Sequence, residues 1–248
     1  MKVTKWAQGS PRLAKTAFTL AEVLITLGVI GVVAAMTMPT LMQNYKKHVV
    51  ETRLAKFYTT INQAIQMSET VNGDKRYWDT LGGEFETDEN GEPDYTKPQA
   101  LAWFEKYLKP YLKYSKIDVF NNNNINGFVL VYFEDGSLLR FSGVSWNFYP
   151  NPRNLKYTIN DEGTTVLDAS NAGTELFSFL FLPACTQNAC KYYYNKGVEP
   201  YTYGWDGTLD GLKNNHHYAC SPSSVRAYCA KLIQLNGWKI PKDYPLKF

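Results

Sequence analysis

Residues 18–38 read FTLAEVLITLGVIGVVAAMTM, a run that carries a single charge, Glu22. As a helix rising 1.5 Å per residue, this run spans about 30 Å, the thickness of a bilayer's hydrocarbon core. A carboxylate close to hydrocarbon costs about 2.5–3.5 kcal/mol at mid-membrane and less toward the end, so Glu22 is expected to have a partner. The preceding residues 1–17 contain Lys2, Lys5, Arg12 and Lys15 and no acid, which predicts a cytoplasmic N-terminus. Two readings follow: a secretory signal or a retained membrane helix. The basic start, the apolar stretch and the small pair Ala34-Ala35 satisfy the crude signal pattern. The apolar run nevertheless exceeds the 7–15 residues of an ordinary signal core, and it contains a carboxylate. A retained helix is the better fit.

The charge of the whole chain looks different once residues 1–17 are set aside. All 248 residues carry a formal +3, whereas residues 18–248 hold 22 of the 26 bases against 23 acids, about −1. Bulk charge therefore gives no support for nucleic-acid binding. The composition, 44% hydrophobic and 15% aromatic, is that of a folding chain rather than a disordered one.

Beyond Pro39 the helical pattern resumes in amphipathic form. Val50, Leu54, Phe57, Ile61, Ala64 and Ile65 recur at three- and four-residue steps and define one apolar stripe, while Lys46, Lys47, Glu51, Arg53 and Lys56 mostly occupy other faces. A helix from Phe18 to about Glu69 would be about 78 Å long. Pro39 should kink or locally melt it, because proline removes a hydrogen bond and crowds the preceding turn.

The stretch KTAFTLAEVLITLGVIGVVAAMTMP, residues 15–39, resembles the N-terminal methylation segment of type IV prepilins and type II secretion pseudopilins. Phe18, Thr19, Leu20 and Glu22 fall on that family's F-T-L-x-E pattern. Gly28, Gly31 and Pro39 match its helix glycines and kinking proline, and Ala17 stands where the family usually has glycine. The resemblance covers about the first 50 residues. It implies cleavage between Ala17 and Phe18 by a prepilin peptidase, which then methylates the new amine of Phe18. It further implies assembly with other pilin or pseudopilin subunits through the N-terminal helix, from an inner-membrane platform, with the inner membrane as the store before assembly. In such a filament the Phe18 amine of one subunit can meet Glu22 of its neighbour, so that Glu22 sets the assembly register.

The remainder reads as an α+β domain. Residues 71–98, rich in turn formers and acids, are expected to connect; Ala100–Leu112 is expected to be helical and disturbed at Pro110; and Asn121–Asn124 reads as a loop. The clearest β signal is Phe128–Phe133 and Leu138–Phe141 flanking Asp135-Gly136, a hairpin turn. Further strands are expected at Tyr157–Ile159, Thr164–Leu167 and Phe177–Leu182, and a last helix through Val225, Tyr228, Cys229, Leu232 and Ile233 stopping at Gly237. The expected architecture is a long N-terminal helix, transmembrane in its lower half (about 18–38) and amphipathic above, packed on an antiparallel sheet. In pilin-like organisation this gives a leader (1–17), a long helix (18–70) and an extracytoplasmic domain (71–248) in the periplasm or at the cell surface.

Cys185, Cys190, Cys220 and Cys229 all fall in the last 64 residues. An even count downstream of an export-like segment points to disulfides. A zinc site using His216 and His217 is the competing reading, but the C-x4-C and C-x8-C spacings are not matched knuckles. Local pairs are slightly favoured over crossed ones, and Cys220–Cys229 requires the last helix to begin no earlier than about Ser224. Asp206-Gly-Thr-Leu-Asp210 offers oxygens to calcium, as some pseudopilin loops do, yet it lacks an EF-hand pattern and a turn with capping aspartates is expected. No G-x-S-x-G, P-loop, H-E-x-x-H or G-x-G-x-x-G motif occurs, and only three histidines are present. The expectation is a non-enzymatic structural subunit without metal or cofactor. Its rivals are an anchored adhesion protein that does not polymerise and a secreted enzyme.

Overall fold

The structure is a computed structural model that describes residues 19–82, 84–122, 126–152, 157–159, 165–167, 171–214 and 217–248. Ala17, Phe18 and His216 lie outside the described residues. The chain divides into two compact units, residues 1–44 and 45–248.

Helix α1 (Leu20–Asn72) contributes to both. Its helical backbone runs unbroken through Pro39, so the proline does not melt it. In the first unit its large side chains are exposed: Leu20 by 79%, Ile25 by 67% and Met36 by 74%.

In the second unit the stripe read from the sequence is the buried face of α1. Val50, Leu54, Phe57, Ile61, Ala64 and Ile65 are all buried, and Ser68 extends the row. They face a six-stranded antiparallel sheet of β3 (Lys116–Asn122), β4 (Asn126–Tyr132), β5 (Leu138–Phe141), β6 (Ser145–Tyr149), β9 (Phe177–Phe181) and β10 (Val198–Pro200), in the order β10-β9-β6-β5-β4-β3. Phe57 stacks on Phe148 at 4.3 Å between ring centroids and meets Phe179 edge-on at 5.1 Å. Side chains of β4, β5 and β6 alternate between two faces: Val129, Val131, Leu139, Phe141, Trp146 and Phe148 join the core under α1, while Leu130, Leu138 and Tyr149 are buried on the other face with Ala172 and Leu176. The class is α+β.

The Asp135-Gly136 turn joins β4 to β5 as expected, with Gly136 at a φ of +79°. It is also tied to α1. Arg53 donates one guanidinium nitrogen to the Asp135 carbonyl and another to the Pro150 carbonyl, and Lys56 Nζ lies 2.8 Å from Asp135 Oδ2. Burial works against the Asp135 charge, but hydrogen bonds from Lys56 and Ser137 outweigh it and hold the carboxyl below its ordinary 3.8. A lowered folded-state value adds stability that is complete above 3.8 and fades as pH falls through the folded value. Asp135→Asn should therefore cost about 1 kcal/mol at pH 7. Acid titrations of unfolding should show that the difference from the native chain shrinks below pH 3.8.

Other segments depart from the sequence expectation. Residues 71–98 are not merely a connection: β1 (Phe85–Thr87) and β2 (Pro93–Pro98) pair there as a second antiparallel sheet. The hairpin forms because Asp88 Oδ1 accepts from the N–H groups of Asn90 and Glu92, and Gly91 supplies a φ of +83°. Of the expected loop Asn121–Asn124, Asn121 and Asn122 instead extend β3, which pairs with β4 in register through Asn122↔Asn126, and Asn123 and Asn124 lie outside the described residues. Helix α2 (Gln99–Tyr107) ends before Pro110, and a 3-10 turn over Lys109–Tyr111 follows, as a proline without an N–H dictates. Strands β7 (Tyr157–Ile159) and β8 (Thr165–Leu167), by contrast, fall where the sequence places them and pair with each other, and Thr164 lies outside the described residues.

One edge of the sheet is closed by a side chain. Asn62 on α1 accepts from the Val198 N–H at 3.0 Å and donates to the Val198 carbonyl at 3.0 Å, taking the place of a neighbouring strand for β10. Gly197 permits this approach, because a Cβ there would lie 1.9 Å from Asn62 Oδ1.

Candidate functional site

The first turn of α1 is built by two residues. Thr19 N–H donates to Glu22 Oε2 at 2.9 Å, Thr19 Oγ1 donates to the same oxygen at 2.8 Å, and Glu22 N–H donates to Thr19 Oγ1 at 3.2 Å. This is a reciprocal capping box, in which an N-cap threonine and a glutamate three residues on satisfy each other's backbone donors. The T-x-x-E signal lies in the sequence at Thr19–Glu22, but the sequence reading assigned Glu22 only to contacts between subunits. Within one chain Glu22 thus has a structural task already, and its remaining acceptor capacity faces outward from an exposed helix.

From that cap the helix presents an apolar surface that the described residues leave exposed. Its 18-residue apolar window has a mean hydropathy of 2.2 and is 0% buried, and the helix is long and apolar enough to cross a membrane. A helix that is apolar all round is stable only in lipid or among other helices.

The C-terminal region is held by two disulfides, Cys185–Cys190 and Cys220–Cys229, the local pairing favoured from sequence. Helix α4 (Cys229–Leu235) begins at Cys229 itself, later than the expected start near Ser224. The loop before it can therefore fold back and bring the Cα atoms of Cys220 and Cys229 to 4.7 Å. All four cysteines are consumed, so no thiolate remains for zinc. Among the described residues no three His, Cys, Asp or Glu side chains come together as a metal site. Asp206 and Asp210 serve the turn. Asp206 Oδ1 accepts from Thr208 N–H at 2.8 Å, Thr208 caps the short helix α3 (Leu209–Lys213), and Asp210 Oδ1 accepts from Asn214 Nδ2 at 3.0 Å.

Phenols pin the same region together. Tyr193 is fully buried, donates to the Pro200 carbonyl at 3.2 Å and accepts from Thr202 Oγ1 at 3.0 Å. Tyr228 donates to the Tyr203 carbonyl at 2.9 Å, and burial pushes its phenol up to about 12. These groups stay neutral across physiological pH and act as hydrogen-bonding struts. On the surface nearby, Arg76 lies 5.7 Å from the ring centroid of Tyr77 and 5.9 Å from that of Tyr194.

Together these features define an α+β protein that carries one bare helix of membrane-crossing length and a disulfide-tied domain. Residues 40–248 match the model of a family of unknown function (DUF6613), and the chain belongs to that family. The apolar segment before Pro39 lies outside the matched residues. No curated protein and no solved structure matches the chain.

Proposed function

We propose that this chain is a pilin-like structural subunit, stored in the inner membrane with its domain on the extracytoplasmic side. On this reading it is processed between Ala17 and Phe18, methylated on Phe18 and built into a type IV pilus-like or type II secretion filament through its N-terminal helix. The observation that carries this reading is the bare apolar helix that holds one carboxylate in its first turn. Such a helix is complete only when lipid or neighbouring helices cover it, and a subunit that passes from membrane to filament meets both in turn. The resemblance of residues 15–39 to prepilin segments, the antiparallel sheet on α1 and the two disulfides support the same reading.

The capping box sharpens the test of Glu22. Glu22→Gln keeps an oxygen that accepts from Thr19 but removes the charge that would pair with a neighbour's Phe18 amine. Thr19→Val does the reverse. Breaking a charge pair in a low-dielectric bundle costs several kcal/mol, so Glu22→Gln should lower the fraction of subunit in sheared filaments by at least about tenfold. Thr19→Val should cost the helix end about 1 kcal/mol and leave incorporation largely intact. If Glu22→Gln subunits entered filaments like the native chain, the register role would be lost.

A second reading has one observation in its favour. The exposed Tyr77 and Tyr194 around Arg76 form a surface suited to binding, as an anchored adhesion protein would need. A membrane-bound chain that retains Met1 and never enters filaments would support it.

A further inference from the structure

Three side chains of complementary reactivity meet where α1 ends. The Gly73 N–H donates to the Glu69 carbonyl at 3.1 Å, and Gly73, at a φ of +74°, turns the chain back on the helix. Lys75, the first residue of the 3-10 turn Lys75–Tyr77, thereby returns to Glu69. Its backbone N–H donates to Glu69 Oε1 at 3.2 Å and its Nζ donates to the same oxygen at 3.0 Å. Nζ also donates at 3.5 Å to Oδ1 of Asn195, a residue 120 positions further along the chain.

The surroundings hold this meeting in place. The Asn195 N–H donates to the Pro183 carbonyl at 2.8 Å, and its φ of +56° is a left-handed conformation that asparagine takes more readily than most residues. The nearest other charges satisfy each other, since Arg76 Nε lies 2.9 Å from Asp74 Oδ2. The Lys75 side chain is 12% exposed and that of Glu69 24%, whereas Asn195 is exposed. The amine and the carboxylate are thus largely shielded from water, and a small leaving group has a way out past Asn195.

We propose that Lys75 and Asn195 become joined by an isopeptide bond, with Glu69 moving the protons. Glu69 takes a proton from the Lys75 ammonium, which lies within the hydrogen-bond reach that a general base needs. The neutral Nζ then attacks Asn195 Cγ, forming the Cγ–Nζ bond. Glu69 passes its proton to Nδ2 and receives the second proton from Nζ. The Cγ–Nδ2 bond breaks, and ammonia leaves with that last proton as ammonium. One amide replaces another, so the step needs no oxidant, reductant or second substrate. Cγ lies one carbonyl bond, about 1.23 Å, behind Oδ1, so a shift of about 1 Å in the flexible lysine stem brings Nζ to attacking distance. Groups held in this way reach effective molarities of about 10⁵–10⁸ M, which allows an unactivated amide to react.

The bond would close a ring over residues 75–195, which include β3, β4, β5, β6 and β9 of the six-stranded sheet. A load entering through α1 would then bypass those strands and pass directly to the segment after Asn195. This inference depends neither on membrane insertion nor on filament formation.

The test is peptide mapping of the full chain, purified and held for days at mildly alkaline pH before digestion with trypsin. The expected product is peptide 57–76 joined through Lys75 to peptide 192–196, lighter than the sum of the two by one ammonia. Glu69→Gln keeps an oxygen that accepts from Lys75 but cannot take its proton, and should slow the joining at least about hundredfold. Lys75→Arg should abolish the product, as should Asn195→Gly, an exposed position where glycine suits the backbone. Separate peptides of unchanged mass from the native chain would overturn the proposal, leaving Lys75 a plain ion-pair partner. Equally fast joining in Glu69→Gln would overturn the role of Glu69. Hydrolysis of Asn195 to aspartate in place of joining would also overturn the proposal, by making water the nucleophile.

Discussion

Phe57→Ala is expected to destabilise residues 45–248 by about 3–5 kcal/mol, the range for removing a buried aromatic ring. The ring is 4% exposed and contacts both the sheet and its flank: it stacks on Phe148 at 4.3 Å, meets Phe179 at 5.1 Å and approaches Phe133 at 6.3 Å. Strands β6 and β9 and helix α1 meet at this residue, so alanine leaves a void that no single element can close. Domains are stable by only about 5–15 kcal/mol, so the loss should move the denaturant midpoint strongly. Phe57→Leu retains most of the volume and should cost much less. A Phe57→Ala chain with an unchanged midpoint would show that α1 does not pack on the sheet through this stripe.

The second large effect is expected at Cys220–Cys229. Replacing both cysteines with serine opens a loop of ten residues, which on the loop-entropy argument costs about 2.5–3 kcal/mol. The site is fully enclosed, with Cys220 0% and Cys229 1% exposed, so the serine hydroxyls would also be buried beside Ala230 and Ile233. Unfolding followed with and without reductant measures the effect. Reductant should destabilise the native chain by more than it destabilises the double-serine chain, which retains only Cys185–Cys190. Equal behaviour with and without reductant would contradict a structural role for either bridge.

The parts of this fold that were legible in sequence share one physical property: a period longer than local noise. The stripe from Val50 to Ile65 repeats over more than four helical turns, and all six residues are buried. The β4–β5 hairpin announced itself through alternation around Asp135-Gly136, where only glycine takes the required positive φ at low cost. Strand β3 was hidden because Lys116 and Asp118 dilute the alternating Ile117 and Val119, and an edge strand tolerates such charges. Strands β1 and β2 were hidden because they are short, acidic and proline-containing, with the Asp88 turn and the single Phe85–Tyr95 ring contact joining them in place of an alternating apolar face.

The site was legible only in part. Glu22 stood out because a lone charge in an apolar run is costly, but its capping bond to Thr19 needed the T-x-x-E spacing to be read as a helix start. The start of α4 at Cys229 came from tertiary contacts, since Val225 and Tyr228 continue the helical period in sequence. The cavity that Lys46 and Arg53 of α1 line together with Asp135, Asn171, Glu175 and Lys247 had no sequence signal at all, because these parts of the chain meet only when it folds.

The central claim is a cut before Phe18 that leaves the apolar helix in the mature chain. Intact mass and N-terminal sequencing of the chain, purified from membranes of cells that contain a prepilin peptidase, test it most directly. The account predicts a chain that begins at N-methyl-Phe18 and retains everything after it. A chain beginning at Met1, or one beginning just after Ala35, would contradict it.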